Sequence, residues 1–276
     1  MFGLIASGEA MMRFACLATA LAMFVVAGAQ AQISYSGGTT YSQDFNSLSS
    51  VAGPHPWAND TTLVGWFADW DAVGPITLYT ADNGSSNLGN LYSYGSTGDS
   101  DRALGSLADG STGSVYYGVQ FKNASAAWTY TSFSVSFWLE QWRADSRNLQ
   151  SLQLQYQVSG SPISVDGAGP WTTIDTLNAI VLNTVGAIDG NLAVNRVNAS
   201  YLAVPIAGGW APNQYLMLRW VDVDDSGSDH GLAIDDFTFS AVPEPTTFAL
   251  VGLGMGAAGL VTRRLRRKKA EQAVAA

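Results

Sequence analysis

Within Thr131 to Arg143 apolar residues occupy every second position from Phe133 to Leu139. Phe133, Val135, Phe137 and Leu139 fall on one side of an extended backbone, and Ser132, Ser134, Ser136, Trp138, Glu140 and Trp142 on the other. Successive side chains of a strand point to opposite faces, so a period of two held this long specifies a half-buried strand and rules out a helix. The period returns where Leu152, Leu154, Tyr156 and Val158 are separated by Gln153, Gln155 and Gln157. Tyr215 to Asp222 is apolar on both faces, as near a sheet centre, and Leu232 to Phe239 closes the series with Ile234, Phe237 and Phe239. Shorter strands are expected at Tyr41–Phe45, Leu63–Phe67, Ile76–Tyr79, Ala103–Leu107, Val115–Phe121 and Tyr201–Pro205. Turn-forming Gly, Ser, Thr and Asn fill the gaps, and no capped helical pattern interrupts them. Roughly ten to thirteen such strands make an all-β, two-sheet antiparallel jelly-roll sandwich. Its expected core includes Phe133, Val135, Phe137, Leu152, Leu154, Leu218, Ile234 and Phe237.

The two ends are of another kind. Arg13, the apolar run Phe14 to Gly28 and the small-x-small triplet Ala29-Gln30-Ala31 form an export signal, so residues 1–31 are expected to be removed as a signal peptide. Cleavage there takes away Cys16, the only cysteine, and with it any thiol or disulfide chemistry. At the other end Pro243-Glu244-Pro245 precedes an apolar, glycine-rich run from Thr246 to Val261, and then Arg263, Arg264, Arg266, Arg267, Lys268 and Lys269. The run is expected to be one transmembrane helix, with the basic cluster left on the cytoplasmic side. In that order, Val242 to Lys269 resembles the PEP-CTERM sorting signal of Gram-negative bacteria. The resemblance implies recognition by an exosortase, transient residence in the inner membrane, and delivery to the cell envelope or extracellular matrix. Residues 242–276 are read as this sorting segment and residues 32–241 as one domain.

That domain keeps six of the 13 basic residues and 19 of the 22 acidic ones, a formal charge of −13. Such a surface repels phosphate backbones, which excludes nucleic acid as a partner. It suits cations. The stretch Asp222, Asp224, Ser226, Gly227 matches the opening of a calcium loop, in which hard oxygens surround a glycine turn. An EF-hand's closing glutamate is missing, since Ala233 stands in its place. Asp229, Asp235 and Asp236 could complete a structural calcium site, the alternative being an acidic, solvated hairpin loop. Because Asp235 and Asp236 are consecutive, one is expected to face the sandwich interior and pair with Arg219.

The stretch Leu218-Arg219-Trp220 to Ala233-Ile234-Asp235-Asp236-Phe237, with Asp101 to Ser106 and Glu140 to Arg143, resembles a bacterial jelly-roll family related in fold to carbohydrate-binding and MAM-like modules. The family itself implies no defined activity. All nine tryptophans lie in the domain. Trp66 and Trp70, flanked by Gly65, Asp69 and Asp71, are read as a platform on which a sugar ring stacks. Glu140 is the domain's only glutamate and is expected to form a structural ion pair with Arg143, Arg102 or Arg219. His55 and His230 stand apart, and no Gly-x-Ser-x-Gly turn presents a nucleophile. The expectation is a non-enzymatic exported protein of the cell surface or matrix, associated with exopolysaccharide and biofilm and binding glycan. A glycan-active enzyme on the same fold, or a surface protein without ligand, are the alternatives.

Overall fold

The computed structural model describes residues 32–72, 74–145, 150–227 and 229–243. The expected signal peptide, Glu244, Pro245, the apolar run and the basic cluster lie outside the described residues. Among the described residues no helix is long and apolar enough to cross a membrane.

Fifteen strands follow one another: β1 (Ile33–Tyr35), β2 (Tyr41–Gln43), β3 (Gly53–Pro56), β4 (Trp66–Trp70), β5 (Leu78–Asp82), β6 (Asn90–Tyr94), β7 (Ala103–Leu107), β8 (Val115–Asn123), β9 (Tyr130–Ala144), β10 (Ser151–Ser159), β11 (Thr172–Asn178), β12 (Gly186–Ala187), β13 (Arg196–Trp210), β14 (Tyr215–Asp222) and β15 (Gly231–Pro243). They form two sheets. A six-stranded sheet runs β1-β8-β14-β10-β11 with β4 also on β8, and a nine-stranded sheet runs β12-β9-β15-β7-β6-β5-β3 with β13 on β9 and β2 on β15. From β7 onward the chain passes back and forth between the sheets, the winding of a jelly roll. Pairing is antiparallel except for β1 with β8 and β5 with β6.

Alternation in the sequence becomes alternation in space. Phe133, Val135, Phe137 and Leu139 enter the core between the sheets, while Ser132, Ser134, Ser136 and Trp138 stay partly exposed on the outer face of the nine-stranded sheet. Leu152, Leu154, Leu218, Ile234 and Phe237 are buried there as expected. Aromatic rings dominate this core. Trp220 stacks on Trp66 and on Tyr117, with centroids 5.9 Å apart in each pair, and takes the edges of Phe137 and Phe237. Two glycines allow the strands to lie this close: a β-carbon at Gly105 or Gly118 would overlap the carbonyl of Leu232 or Leu218 on the next strand.

Parity fails at the paired aspartates. In β15 the register to β9 shifts between Asp235 and Thr238, and Asp236 has a φ of 49°. This bulge inserts an extra residue, so Ile234 and Phe237 both reach the core. Neither aspartate then faces the interior. Asp235 is buried on the outer side of its sheet and Asp236 is exposed.

Candidate functional site

The sandwich is not closed along one side. There the edge strand of the six-stranded sheet, β11, faces the edge strand β13 of the other, and a groove of about 720 Å³ opens between them. That size falls among small-ligand sites. Tyr156, Ile174, Val204 and Ile206 give it an apolar floor, with Thr172, Thr173 and Ser200 along the sides. Tyr201 spans the gap, its hydroxyl donating to Asp175 on β11 at 2.5 Å, while the Tyr156 hydroxyl donates to the Pro205 carbonyl at 2.9 Å. Leu202 projects into solvent, 80% exposed. The strand takes this course because it is irregular: its register to β9 shifts between Tyr201 and Val204, where Ala203 has a φ of 51° and its N–H is held by Ser134 Oγ at 3.0 Å. No carboxylate is among the described residues that line the groove.

The sequence-predicted sugar platform is elsewhere. Trp66 is fully buried, so it belongs to the core and cannot stack on a sugar. Trp70 is half-buried against the same core, with its indole N–H on the Gly74 carbonyl at 2.8 Å. The strand period explains both, since Trp66, Ala68 and Trp70 share the inward face of β4.

The six residues expected to hold calcium do not form one cluster: Asp222, Asp224 and Asp229 are neighbours, and Asp235 and Asp236 stand apart on β15. Asp222 turns inward from the end of β14, where Ser106 Oγ and Gln150 Nε2 donate to its two oxygens at 2.7 Å each. Burial raises its carboxyl to about 7 in spite of these donors. Asp229 is buried as well, and burial with the neighbouring Asp222 pushes it up to about 8. Asp224 is half-buried and Ser226 exposed, whereas Asp235 and Asp236 stand on another strand. Among the described residues no group of three or more His, Cys, Asp or Glu is placed to hold a metal ion. His230 Nδ1 receives the Asp145 N–H and faces Gln141 Nε2, each at 2.9 Å.

Two expected ion pairs are also replaced. Arg219 does not meet Asp235. It lies on the outer face of the six-stranded sheet, 3.7 Å from the Trp171 ring centroid and 5.2 Å from that of Tyr116, and donates to Gln155, Val165 and Gly167. Burial lowers its guanidinium to about 10. Glu140 pairs instead with Arg196, at 3.6 Å across the β9–β13 seam. Its other oxygen accepts the Trp142 indole N–H at 3.0 Å, and burial pushes its carboxyl up to about 7.

Residues 241–267 match the PEP-CTERM protein-sorting motif. The fold and this match define an exported, surface-sorted bacterial β-sandwich protein. The motif begins inside the domain, because Ala241, Val242 and Pro243 are also the last residues of β15. No curated protein sequence matches the chain. Among solved structures it is similar to a xylan-binding domain of the CBM22 type, at 15% identity over 69% of this chain and 95% of that one, with a TM-score of 0.32. It is similar to a CBM61 module in complex with β-1,4-galactotriose, at 11% identity over 64% and 88%, with a TM-score of 0.30. The K3 adhesin domain of Lys-gingipain from Porphyromonas gingivalis is a further likeness, at 13% identity over 64% and 91%, with a TM-score of 0.37. All three are too distant to bear on what this chain binds.

Proposed function

We propose that this is a non-enzymatic protein of the cell surface or extracellular matrix, processed by an exosortase, that holds a neutral polysaccharide strand in the groove between β11 and β13. The groove's composition carries the reading. An apolar floor receives the C–H faces of sugar rings, and the hydroxyls of Thr172, Thr173 and Ser200 meet those of the glycan. The domain's charge of −13 disfavours polyanions, which leaves uncharged glycans as the matching class. A lining without carboxylates supports binding over hydrolysis, since glycosidases of the common type act with two of them. The resemblance to PEP-CTERM proteins adds an association with exopolysaccharide and biofilm.

The test is titration calorimetry of the exported protein against neutral β-linked glucan, xylan and galactan oligosaccharides and against an anionic uronan. Binding to a neutral oligosaccharide is expected, weakened about tenfold or more in Tyr201→Ala, with no sugar released on prolonged incubation. Failure of all the neutral glycans to bind, or equal binding by Tyr201→Ala, sinks the groove reading. Release of reducing ends returns the enzyme alternative.

A further inference from the structure

Two buried carboxyl groups stand together on the outer face of the nine-stranded sheet, away from the groove. Glu140 on β9 is 0% exposed and Asp235 on β15 is 4% exposed. The register sets Glu140 opposite Ala233 and Asp235 opposite Trp138, so the two side chains occupy diagonal positions on one face of adjacent strands. Each has an oxygen without a hydrogen-bond partner, Oε1 of Glu140 and Oδ1 of Asp235. The cation at hand is Arg196, entering from β13 and laid over the Trp138 ring 4.6 Å from its centroid. Its Nη1 is 3.6 Å from Glu140 Oε1, outside hydrogen-bond range. The other charged groups acting on the pair are acidic, Asp101 ahead of β7 and Asp236 beside Asp235. Trp142, from β9 itself, is neutral.

One guanidinium cannot balance this set. A buried carboxylate with an unmet oxygen is strongly disfavoured, and two side by side more so, as in carboxyl dyads that share a proton. We propose that Glu140 and Asp235 hold one proton between them at neutral pH, and that its loss loosens the seam joining β9, β13 and β15. With the proton in place, one group is a carboxylate facing Arg196 and the other a neutral acid. When the neutral acid gives its proton to water, two carboxylates remain against one Arg196, and their repulsion acts across the β9–β15 pairing. Burial drives both carboxyls above the ordinary carboxylate range, and negative charge adds to it, that of Glu140 on Asp235 and that of Asp101 on Glu140. The titration belongs to the pair and not to either residue. Because β13 continues from Arg196 to the groove wall at Ser200 to Ala207, the proton sets how firmly that wall is held.

The experiment is amide hydrogen exchange of the exported protein between about pH 6 and pH 9, expressed as protection factors corrected for intrinsic exchange. No glycan is involved, so its failure is separate from failure of the groove reading. Wild-type amides of Val197 to Ala199 are expected to lose about tenfold or more of their protection as pH rises, while Glu140→Gln and Asp235→Asn lose little. Constant protection in the wild type, or an equal loss in both variants, overturns the proposal. Should the variants not fold, carboxyl-carbon NMR of the wild type decides. One carboxyl resonance of the pair must still be titrating above about pH 6, and two that finish below about pH 5 refute a shared proton.

Discussion

Trp220 offers the most direct test of the core. It is fully buried, stacked on Trp66 and Tyr117 at 13° to each ring, with Phe137 and Phe237 meeting it at 86° and 83°. Truncating a buried tryptophan to alanine costs about 3–5 kcal/mol from lost burial and the cavity left behind. Each aromatic pair adds about 0.5–1.5 kcal/mol, though four pairs around one ring do not sum independently. Trp220→Ala should therefore remove about 4–6 kcal/mol, comparable to the whole stability of a modest domain. Trp220→Phe is the sharper variant. The Trp220 indole N–H has no hydrogen-bond partner, so a phenyl ring forfeits area and no bond, at about 1–2 kcal/mol. Urea unfolding measures both. With a slope of about 2 kcal/mol/M, Trp220→Ala moves the midpoint by about 2 M or more, and Trp220→Phe by under about 1 M. A loss below about 1 kcal/mol for alanine would mean that the two sheets do not close on this ring. A phenylalanine loss as large as that of alanine would mean that the indole nitrogen is bonded after all.

Stability should fall as pH rises from about 4 to about 8. Burial raises Asp222 to about 7 and Asp229 to about 8 and pushes the Glu140–Asp235 pair in the same direction, so their contribution is complete below the ordinary carboxylate range and lost as pH rises through the raised values. Melting temperatures measured across that range check the sign, and a maximum above pH 8 contradicts it. Asp109 works the other way: against burial, donors from Ser111, Gly89 and Thr112 hold it down to about 2, so the destabilisation caused by Asp109→Ala should be largest above about pH 4 and shrink as pH falls towards 2. Gly84 has a φ of 88°, and a β-carbon there would run into the Trp142 carbonyl. Gly84→Ala should free the segment that covers Trp142, seen as faster proteolysis near Asn83 to Ser86 with the rest of the domain intact.

Much of the fold is written in residue parity, and the candidate site is not. β14 has the expected bounds, Tyr215–Asp222, and β9 extends the expected run by one residue at each end, because apolar alternation and burial coincide there. Strand β13 was expected only at Tyr201–Pro205 but runs from Arg196 to Trp210. Its edge position leaves most of its side chains in solvent, and the left-handed Ala203, Gly208 and Gly209 break its period, so neither its length nor the groove beside it left a hydrophobic pattern to read. The bulge at Asp236 defeated the parity argument for the paired aspartates in the same way. Trp66 is different, because its inward direction was available from the Trp66, Ala68, Trp70 spacing, and the acidic neighbours obscured it. Glu140 and Arg196 meet through strand pairing, which no local pattern encodes.

The position of β15 bears on how such a chain crosses a membrane. It lies inside its sheet, with β9 along one side and β7 and β2 along the other, and Tyr35 from β1 receives and returns a hydrogen bond at Ala241. A polypeptide emerging from its N-terminal end lacks this strand until nearly the whole domain has been made. Until then β2 and β9 have no neighbour between them, and the core has no Ile234, Phe237 or Phe239. Contacts spanning the full length of a domain form late and cannot be anticipated by shorter pieces. The strand that completes the nine-stranded sheet is thus the last of the fifteen to be made, and the sheet is expected to close only after it has emerged.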